Sequence, residues 1–341
     1  MNLGQGGNVR QVLITDFAWK DLKIEEDILT QAGAETVVAK TASEAELMQL
    51  APTADGILTC WQPVTGNVIR AASRCLAIGR FGIGLDNIDV STATEAGMVV
   101  TNVPAYCIDE VSEHAMALIL ACARKIAFYD RNIKSGSYDL QAGPPLYRIK
   151  GKTLGIVGFG KIGKALCLKA RAFGLSIIVY DPYLEAASVS QAGIEAVSFP
   201  ELVKRSDFIS IHVPLSAETS HLFTYQTFKH MKPTAIIVNT SRGDVIDPSG
   251  LVAALDDGLI AGAGLDVLSQ EPPLQRDRLV SHPRTVITPH AAFNSEESLV
   301  ELRMTAATQM ADVLSGRRPQ NIVNPKVLDQ PALRCRSLAT N

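Results

Sequence analysis

Leu154-Gly155-Ile156-Val157-Gly158-Phe159-Gly160-Lys161-Ile162-Gly163 is a short apolar run that breaks on three glycines spaced GxGxxG and passes straight into a helical pattern. A hexapeptide of that form occurs in many glycine-rich turns and says little alone. Its setting decides: a strand over Leu154–Val157 precedes it and a helix over Lys161–Ala172 follows, as in a dinucleotide-binding turn. Gly158 permits the tight turn, Gly160 lets the backbone approach a pyrophosphate, and Gly163 lets the helix pack close on the strand. The helix start offers free N–H groups and a partial positive charge to phosphates. After the next apolar run, Ile177–Tyr180, comes Asp181, about 20 residues on, where such folds carry their ribose-binding acid. Its carboxylate would accept from both ribose hydroxyls and repel a 2′-phosphate, which predicts NAD over NADP.

Outward from this turn, β-rich runs alternate with helical stretches almost from end to end, the pattern of parallel βαβ architecture. Downstream the expected strands are Thr153–Val157, Ser176–Tyr180, Ala196–Phe199, Phe208–His212, Ala235–Asn239, Gly262–Asp266 and Thr285–Thr288. Seven such runs separated by helices suggest a doubly wound sheet. Upstream lie Val12–Asp16, Thr36–Ala39, Gly56–Cys60, Ala77–Phe81 and Met98–Asn102, with helices such as Lys23–Ala32 and Ser43–Leu50 between them. They read as a smaller α/β domain. Between the two series, Asp109 to about Lys134 reads as one long helix, apolar around much of its surface, and so buried between domains or against another subunit, with an ordinary core helix of one domain as the alternative. A last helix is expected over Ser295–Ser315, ended by Gly316. Arg317–Lys326 reads as an extended strap, and residues before Asn8 and after Val327 as loose tails.

Composition agrees with a globular α/β protein. The chain has 341 residues, 47% hydrophobic, with 25 glycines spread over many turns, which allows two domains of ordinary size. A net charge of -3 without a basic cluster argues against nucleic acid as a partner. The N-terminus lacks a basic region backed by an apolar run, and the longest apolar run, Ala115–Ala123, is too short to span a bilayer. Six cysteines without a CxxC pair fit reduced thiols rather than a disulfide frame or a metal site. The expectation is a cytoplasmic, metal-free protein that does not bind membranes.

Three segments beyond the turn carry groups suited to carbonyl chemistry. Asn239-Thr240-Ser241-Arg242-Gly243 follows one strand, Asp266-Val267 leads to Glu271-Pro272, and Pro289-His290 follows another. In open parallel sheets the carboxyl ends of strands line the ligand crevice, so an Arg, a Glu and a His delivered there could meet. Reduction of a 2-keto acid needs a hydride from a cofactor and a proton from the protein. Histidine is the natural donor, because it titrates close to working pH. A carboxylate on its other ring nitrogen would orient it and favour the cation. An arginine can polarise the keto oxygen and hold the carboxylate with its planar fork. Taken singly, Arg242 could be a surface ion pair, Glu271 a solvated charge and His290 a core histidine; together, behind a dinucleotide turn, they read as a site.

These segments, with Gly79-Arg80-Phe81-Gly82-Ile83-Gly84-Leu85-Asp86-Asn87-Ile88-Asp89, resemble the D-isomer-specific 2-hydroxyacid dehydrogenase family from about Val12 to Pro325. The resemblance implies two Rossmann-like or flavodoxin-like domains with parallel sheets, the cofactor domain inserted into the substrate domain. The bounds expected are 8–103 with 296–327 for the substrate domain, 104–295 for the NAD domain, and a tail over 328–341. It implies Arg242 as substrate anchor, His290 as acid/base and Glu271 as the partner that tunes it. Asp266 would hold the nicotinamide carboxamide. Lys161 and Ile162 would meet the pyrophosphate, Val213 and Pro214 the adenine side, and Thr240 and Ser241 the nicotinamide ribose. Backbone amides of Ile83 and Gly84 would hold the substrate carboxylate. A homodimer through 109–134 is implied as well.

One departure stands out. Most members have Gly two residues after the histidine, but here the run is His290-Ala291-Ala292-Phe293, similar to the C-terminal-binding-protein branch of the family. Phe293 would then sit beside the substrate. Trp61, in the loop Cys60-Trp61-Gln62-Pro63, could narrow the pocket or simply pack in its loop. Alternatives to a 2-hydroxyacid dehydrogenase are an NAD(H)-sensing corepressor-like protein, and a dehydrogenase of a phosphite- or phosphonate-type anion with Arg80 as the extra cation.

Overall fold

The computed structural model describes residues 9–184 and 193–339. The segment before Asn8 lies outside the described residues, as do the last two residues of the expected tail. The chain divides into two compact units: the first from the N-terminal part to Tyr106 together with Ser295 onward, the second from Cys107 to Asn294.

The first unit holds β1 (Arg10–Ile14), β2 (Ala34–Val38), β3 (Gly56–Thr59), β4 (Ala77–Arg80) and β5 (Val99–Thr101). All pair in parallel in the order β2-β1-β3-β4-β5. The inner strands are buried on both faces, which is why they read as continuous apolar runs and not as alternating ones. The helix Glu296–Leu314 returns to this sheet, started by a capping box in which Ser295 and Ser298 satisfy each other's backbone N–H groups. Its Arg303 makes a two-pronged pair with the fully buried Glu25, at 2.9 and 2.8 Å. Two ions can share a core only when paired in this way.

Gly316 does end that helix, in the left-handed conformation. The strap behind it runs beside β5: Val323 donates to the Val100 carbonyl, and the Asn324 side chain accepts from Val100 and donates to Met98. The tail does not hang loose. Leu328, Leu333, Cys335 and Leu338 are buried, Arg334 donates to the carbonyls of Ala72 and Cys75, and a Cβ at Gly97 would lie 1.8 Å from the Ala332 oxygen. The segment lacks any period because it packs as irregular backbone and 3-10 turns, with no single face to advertise.

The second unit holds β6 (Thr153–Val157), β7 (Ser176–Tyr180), β8 (Glu195–Ala196), β9 (Phe208–Ile211), β10 (Ile236–Asn239), β11 (Gly262–Leu265) and β12 (Thr285–Ile287). Their parallel order is β12-β11-β10-β9-β6-β7-β8, a doubly wound sheet whose strand order reverses at β6, between β9 and β7. The strand expected over Ala196–Phe199 is shorter, because Ser198 caps the helix Phe199–Arg205. The helix expected over 109–134 is two, Ile108–Arg124 and Ile126–Lys134, broken where Lys125 turns left-handed. The first packs its apolar side on this unit's own sheet, with Ala115, Leu118, Ile119 and Cys122 in one cluster with Ile156 and Val238. Among the described residues no helix is long and apolar enough to cross a membrane. All six cysteines are free and buried, and burial pushes the thiols of Cys60, Cys75 and Cys122 up to about 12.

Candidate active site

The glycine turn follows β6 and meets the demands of a phosphate cradle one glycine at a time. Gly158 has φ +90°, and a Cβ there would sit 2.8 Å from the His212 backbone. A Cβ at Gly163 would lie 2.4 Å from the Gly158 carbonyl oxygen, so helix Lys161–Ala172 can approach β6 only with glycine. Gly160 faces open space instead, with nothing within 4 Å of a Cβ. It is the N-cap of that helix and no side chain caps the end, which leaves its first N–H groups for a ligand. Lys161 and Ile162 form the first turn. Asp181 follows β7 and ties itself to the cradle, accepting from the amides of Phe159 and Tyr183 at 2.9 Å each.

Across the strand-order reversal, β9 ends before His212-Val213-Pro214. His212 is no acid at neutral pH: it is half-buried, desolvation holds its imidazole down to about 4, and its Nε2 meets the Ser210 hydroxyl at 2.9 Å. Val213 stands next to the glycine turn, its Cγ1 2.9 Å from where a Gly158 Cβ would be.

β10 delivers Arg242. Buried Asn239 closes the loop on itself, accepting from the Ser241 amide and hydroxyl and donating to the Arg242 carbonyl at 2.9 Å. Arg242 also donates to the Ser241 carbonyl at 2.7 Å. Gly243 allows this loop against the next: a Cβ there would be 2.1 Å from the carbonyl carbon of Leu268. Between them, the Thr240 hydroxyl is buried and, among the described residues, has no partner. A buried hydroxyl left unsatisfied is costly, which marks it as a waiting donor or acceptor.

The Leu268 loop carries Glu271. Its Oε1 accepts from the Leu268 amide at 2.9 Å, and its Oε2 contacts His290 Nδ1 at 2.7 Å. Burial works to raise the Glu271 carboxyl. The His290 hydrogen bond and charge, the Leu268 N–H and the Arg242 guanidinium outweigh it and hold the group below its ordinary range. Arg242, Glu271 and His290, from the ends of three strands, thus meet in one place.

His290 is presented on a backbone bent to φ +53°, a conformation rarely adopted by residues with a side chain. Asp266 holds it there. Its carbonyl accepts from His290 N–H at 2.8 Å, and its carboxylate takes Thr288 Oγ1 at 2.6 Å and the amides of Ala291 and Ala292 at 2.9 Å. Asp266 is 1% exposed, so the group expected to face the nicotinamide carboxamide has three donors inside the protein already. His114 closes the arrangement from the helix Ile108–Arg124, with Nε2 2.8 Å from Thr288 Oγ1. Phe293 lies edge-on to His290, ring centroids 6.2 Å apart.

Ile83, Gly84 and Trp61 belong to the first unit. The loop after β4 is pinned by Asn102, which donates to the Ile83 carbonyl at 2.8 Å. Trp61 is 44% exposed, and its amide, with those of Cys60 and Gln62, donates to the Asp16 carboxylate at 2.8 to 3.3 Å. Asp16 escaped the reading from sequence, since nothing local distinguishes an acid at a strand end that plugs a concave run of amides. Asp266, Thr288 and His114 escaped it as a buttress for the same reason: their partners are 22 to 174 residues away.

A doubly wound sheet with a glycine cradle at its order reversal, and an Arg-Glu-His cluster on neighbouring strand ends, defines a dinucleotide-dependent oxidoreductase. The sequence model of the D-isomer specific 2-hydroxyacid dehydrogenase NAD binding domain matches residues 116–292. The chain belongs to that family. It is 39% identical over 269 residues to a glyoxylate reductase of Korarchaeum cryptofilum, covering 78% of this chain and 81% of that protein. With a D-3-phosphoglycerate dehydrogenase of Methanocaldococcus jannaschii it shares 38% over 328 residues, 95% of this chain but 61% of that protein. The crystal structure of the TT0316 protein of Thermus thermophilus superposes with a TM-score of 0.84 at 30% identity, over 92% of this chain and 99% of that one.

Proposed function

We propose that this chain interconverts a small 2-keto acid and its 2-hydroxy acid with NAD(H), His290 serving as acid/base and Arg242 as substrate anchor. The carrying observation is the 2.7 Å contact between His290 Nδ1 and Glu271 Oε2 within the field of Arg242. The dinucleotide fits the residues present: an open Gly160 cradle, uncapped helix N–H groups and an orphan Thr240 hydroxyl await its polar atoms. When bound it supplies or accepts the hydride. Gly158, Gly160, Lys161, Ile162 and Gly163 would hold the pyrophosphate, Asp181 the ribose, and Val213 and Pro214 the adenine side. Thr240 and Ser241 would meet the nicotinamide ribose, and Asp266 the nicotinamide end, chiefly by fixing the His290 turn.

In reduction, the substrate oxygen takes its proton from His290 Nε2 while C2 gains the hydride. Glu271 on Nδ1 keeps Nε2 pointed outward and stabilises the imidazolium before transfer. Arg242 binds the carboxylate and polarises the keto oxygen. Phe293, edge-on to His290, is assigned to the substrate side chain. NADH oxidation, followed by absorbance with glyoxylate, hydroxypyruvate, pyruvate and 3-phosphohydroxypyruvate, tests the reading. Turnover of at least one acid is expected; NADH binding without turnover on a broad panel would replace the enzyme by a redox-sensing binding protein.

We further infer a homodimer through the 109–134 region. Ile126 and Ile133 support it, 58% and 55% exposed on the helix Ile126–Lys134. A monomer by light scattering at micromolar concentration would overturn it.

A further inference from the structure

At the opposite end of the second unit's sheet, where β9, β10 and β11 begin, lies a cavity of about 300 Å³. Its walls are apolar, built from Pro144, Pro145, Tyr147, Pro233 and Ile260. Its charges are lopsided: Lys125, Arg148, Lys152 and Arg284 line it against one carboxylate, Asp207. That carboxylate is already engaged, accepting from the Thr153 amide at 2.9 Å and facing Lys232 at 3.1 Å and Lys152 at 3.6 Å. Arg284 has an internal task too, donating to the Leu255 carbonyl at the end of the helix Pro248–Asp256.

Lys125 and Arg148 have no such account: among the described residues neither pairs with a carboxylate. Lys125 is half-buried beside Arg284, and burial first, then that guanidinium, disfavours its charged form. An anion between them would relieve both the repulsion and the desolvation.

We propose that this cavity is a second binding site, for a small organic acid whose carboxylate or phosphate lies between Lys125, Arg148 and Arg284 and whose flat apolar body rests on the prolines and Tyr147. The site is remote from the Arg242-Glu271-His290 cluster, which occupies the other ends of the same strands, and it does not depend on the substrate assignment.

Titration calorimetry on NADH-saturated protein tests it, because the glycine cradle is then filled and cannot take the probe. Benzoate and phenyl phosphate carry the two candidate acids, and benzyl alcohol is the neutral control. One equivalent of at least one acid is expected to bind with Kd below about 1 mM. Arg148→Gln, on an exposed loop, and Lys125→Asn, whose side chain tolerates the left-handed backbone, should each weaken it by about fivefold or more with NADH affinity unchanged. Whichever acid binds identifies the charged group recognised. The proposal fails if neither acid binds below about 10 mM, if benzyl alcohol binds as well as the acids, or if both variants bind like the parent.

Discussion

Glu271→Gln removes one charge and keeps the shape, so it isolates what the carboxylate does for His290. Two unit charges 4 Å apart interact by about 4 kcal/mol at an effective dielectric near 20 and about 1 kcal/mol in water. His290 and Glu271 side chains are 28% and 36% exposed, so solvent screens the pair and the realistic value lies toward the lower end. About 1.5 to 2 kcal/mol corresponds to about ten- to thirtyfold in rate. Reduction draws its proton from the imidazole, and the carboxylate that steadies that ring is gone. kcat/KM for keto-acid reduction should therefore fall by about that factor. A further loss comes from geometry. Gln offers one acceptor to the two donors, His290 Nδ1–H and Leu268 N–H, that now share two oxygens. kcat/KM for the keto acid at saturating NADH reads the loss, with NADH affinity unchanged. A variant within about threefold of the parent would refute the electrostatic role and leave Glu271 only a steric prop.

His290→Ala should abolish most reduction while stopped-flow NADH affinity stays within about twofold, the imidazole acting on substrate alone; turnover like the parent removes it from proton transfer. Arg242→Lys keeps the charge but not the fork, and a loss of more than about tenfold in kcat/KM, roughly 1.4 kcal/mol, is expected. Gly160→Ala and Gly163→Ala should separate cleanly. The first adds a methyl where space is open, so Tm without cofactor should hold while NADH affinity drops by about tenfold or more. The second drives a Cβ to 2.4 Å from the Gly158 carbonyl, so Tm should fall even without NADH. Asp181→Ser should narrow the preference for NADH over NADPH in initial rates; a parent that prefers NADPH contradicts the role given to Asp181.

Much of this was legible because the signals are local. The inner strands β9, β10 and β11 of the second sheet are buried on both faces and announce themselves as apolar runs such as Ile236-Ile237-Val238. The glycine turn and the three strand-end segments follow from spacing. Boundaries were less so: the residues 196–199 look like a strand by composition, yet Ser198 spends its hydroxyl on the Glu201 amide and starts a helix. Lys125 breaks a long apolar helical pattern without any glycine or proline to signal it. What could not be read were contacts made by the tertiary fold: Asp16 on the Trp61 loop, Asp266 and His114 behind His290, and the packed segment around Leu333.

The first unit takes its strands from residues 10–101 and the helix that seals them from Glu296–Leu314, with all of the second unit strung between. During synthesis, therefore, β1 to β5 leave the ribosome long before the Arg303 that pairs with buried Glu25 exists, whereas the second unit is contiguous and can close as it emerges. The nascent first sheet must wait with its apolar face uncovered for nearly two hundred residues of translation, and that interval is where a chaperone would find this chain.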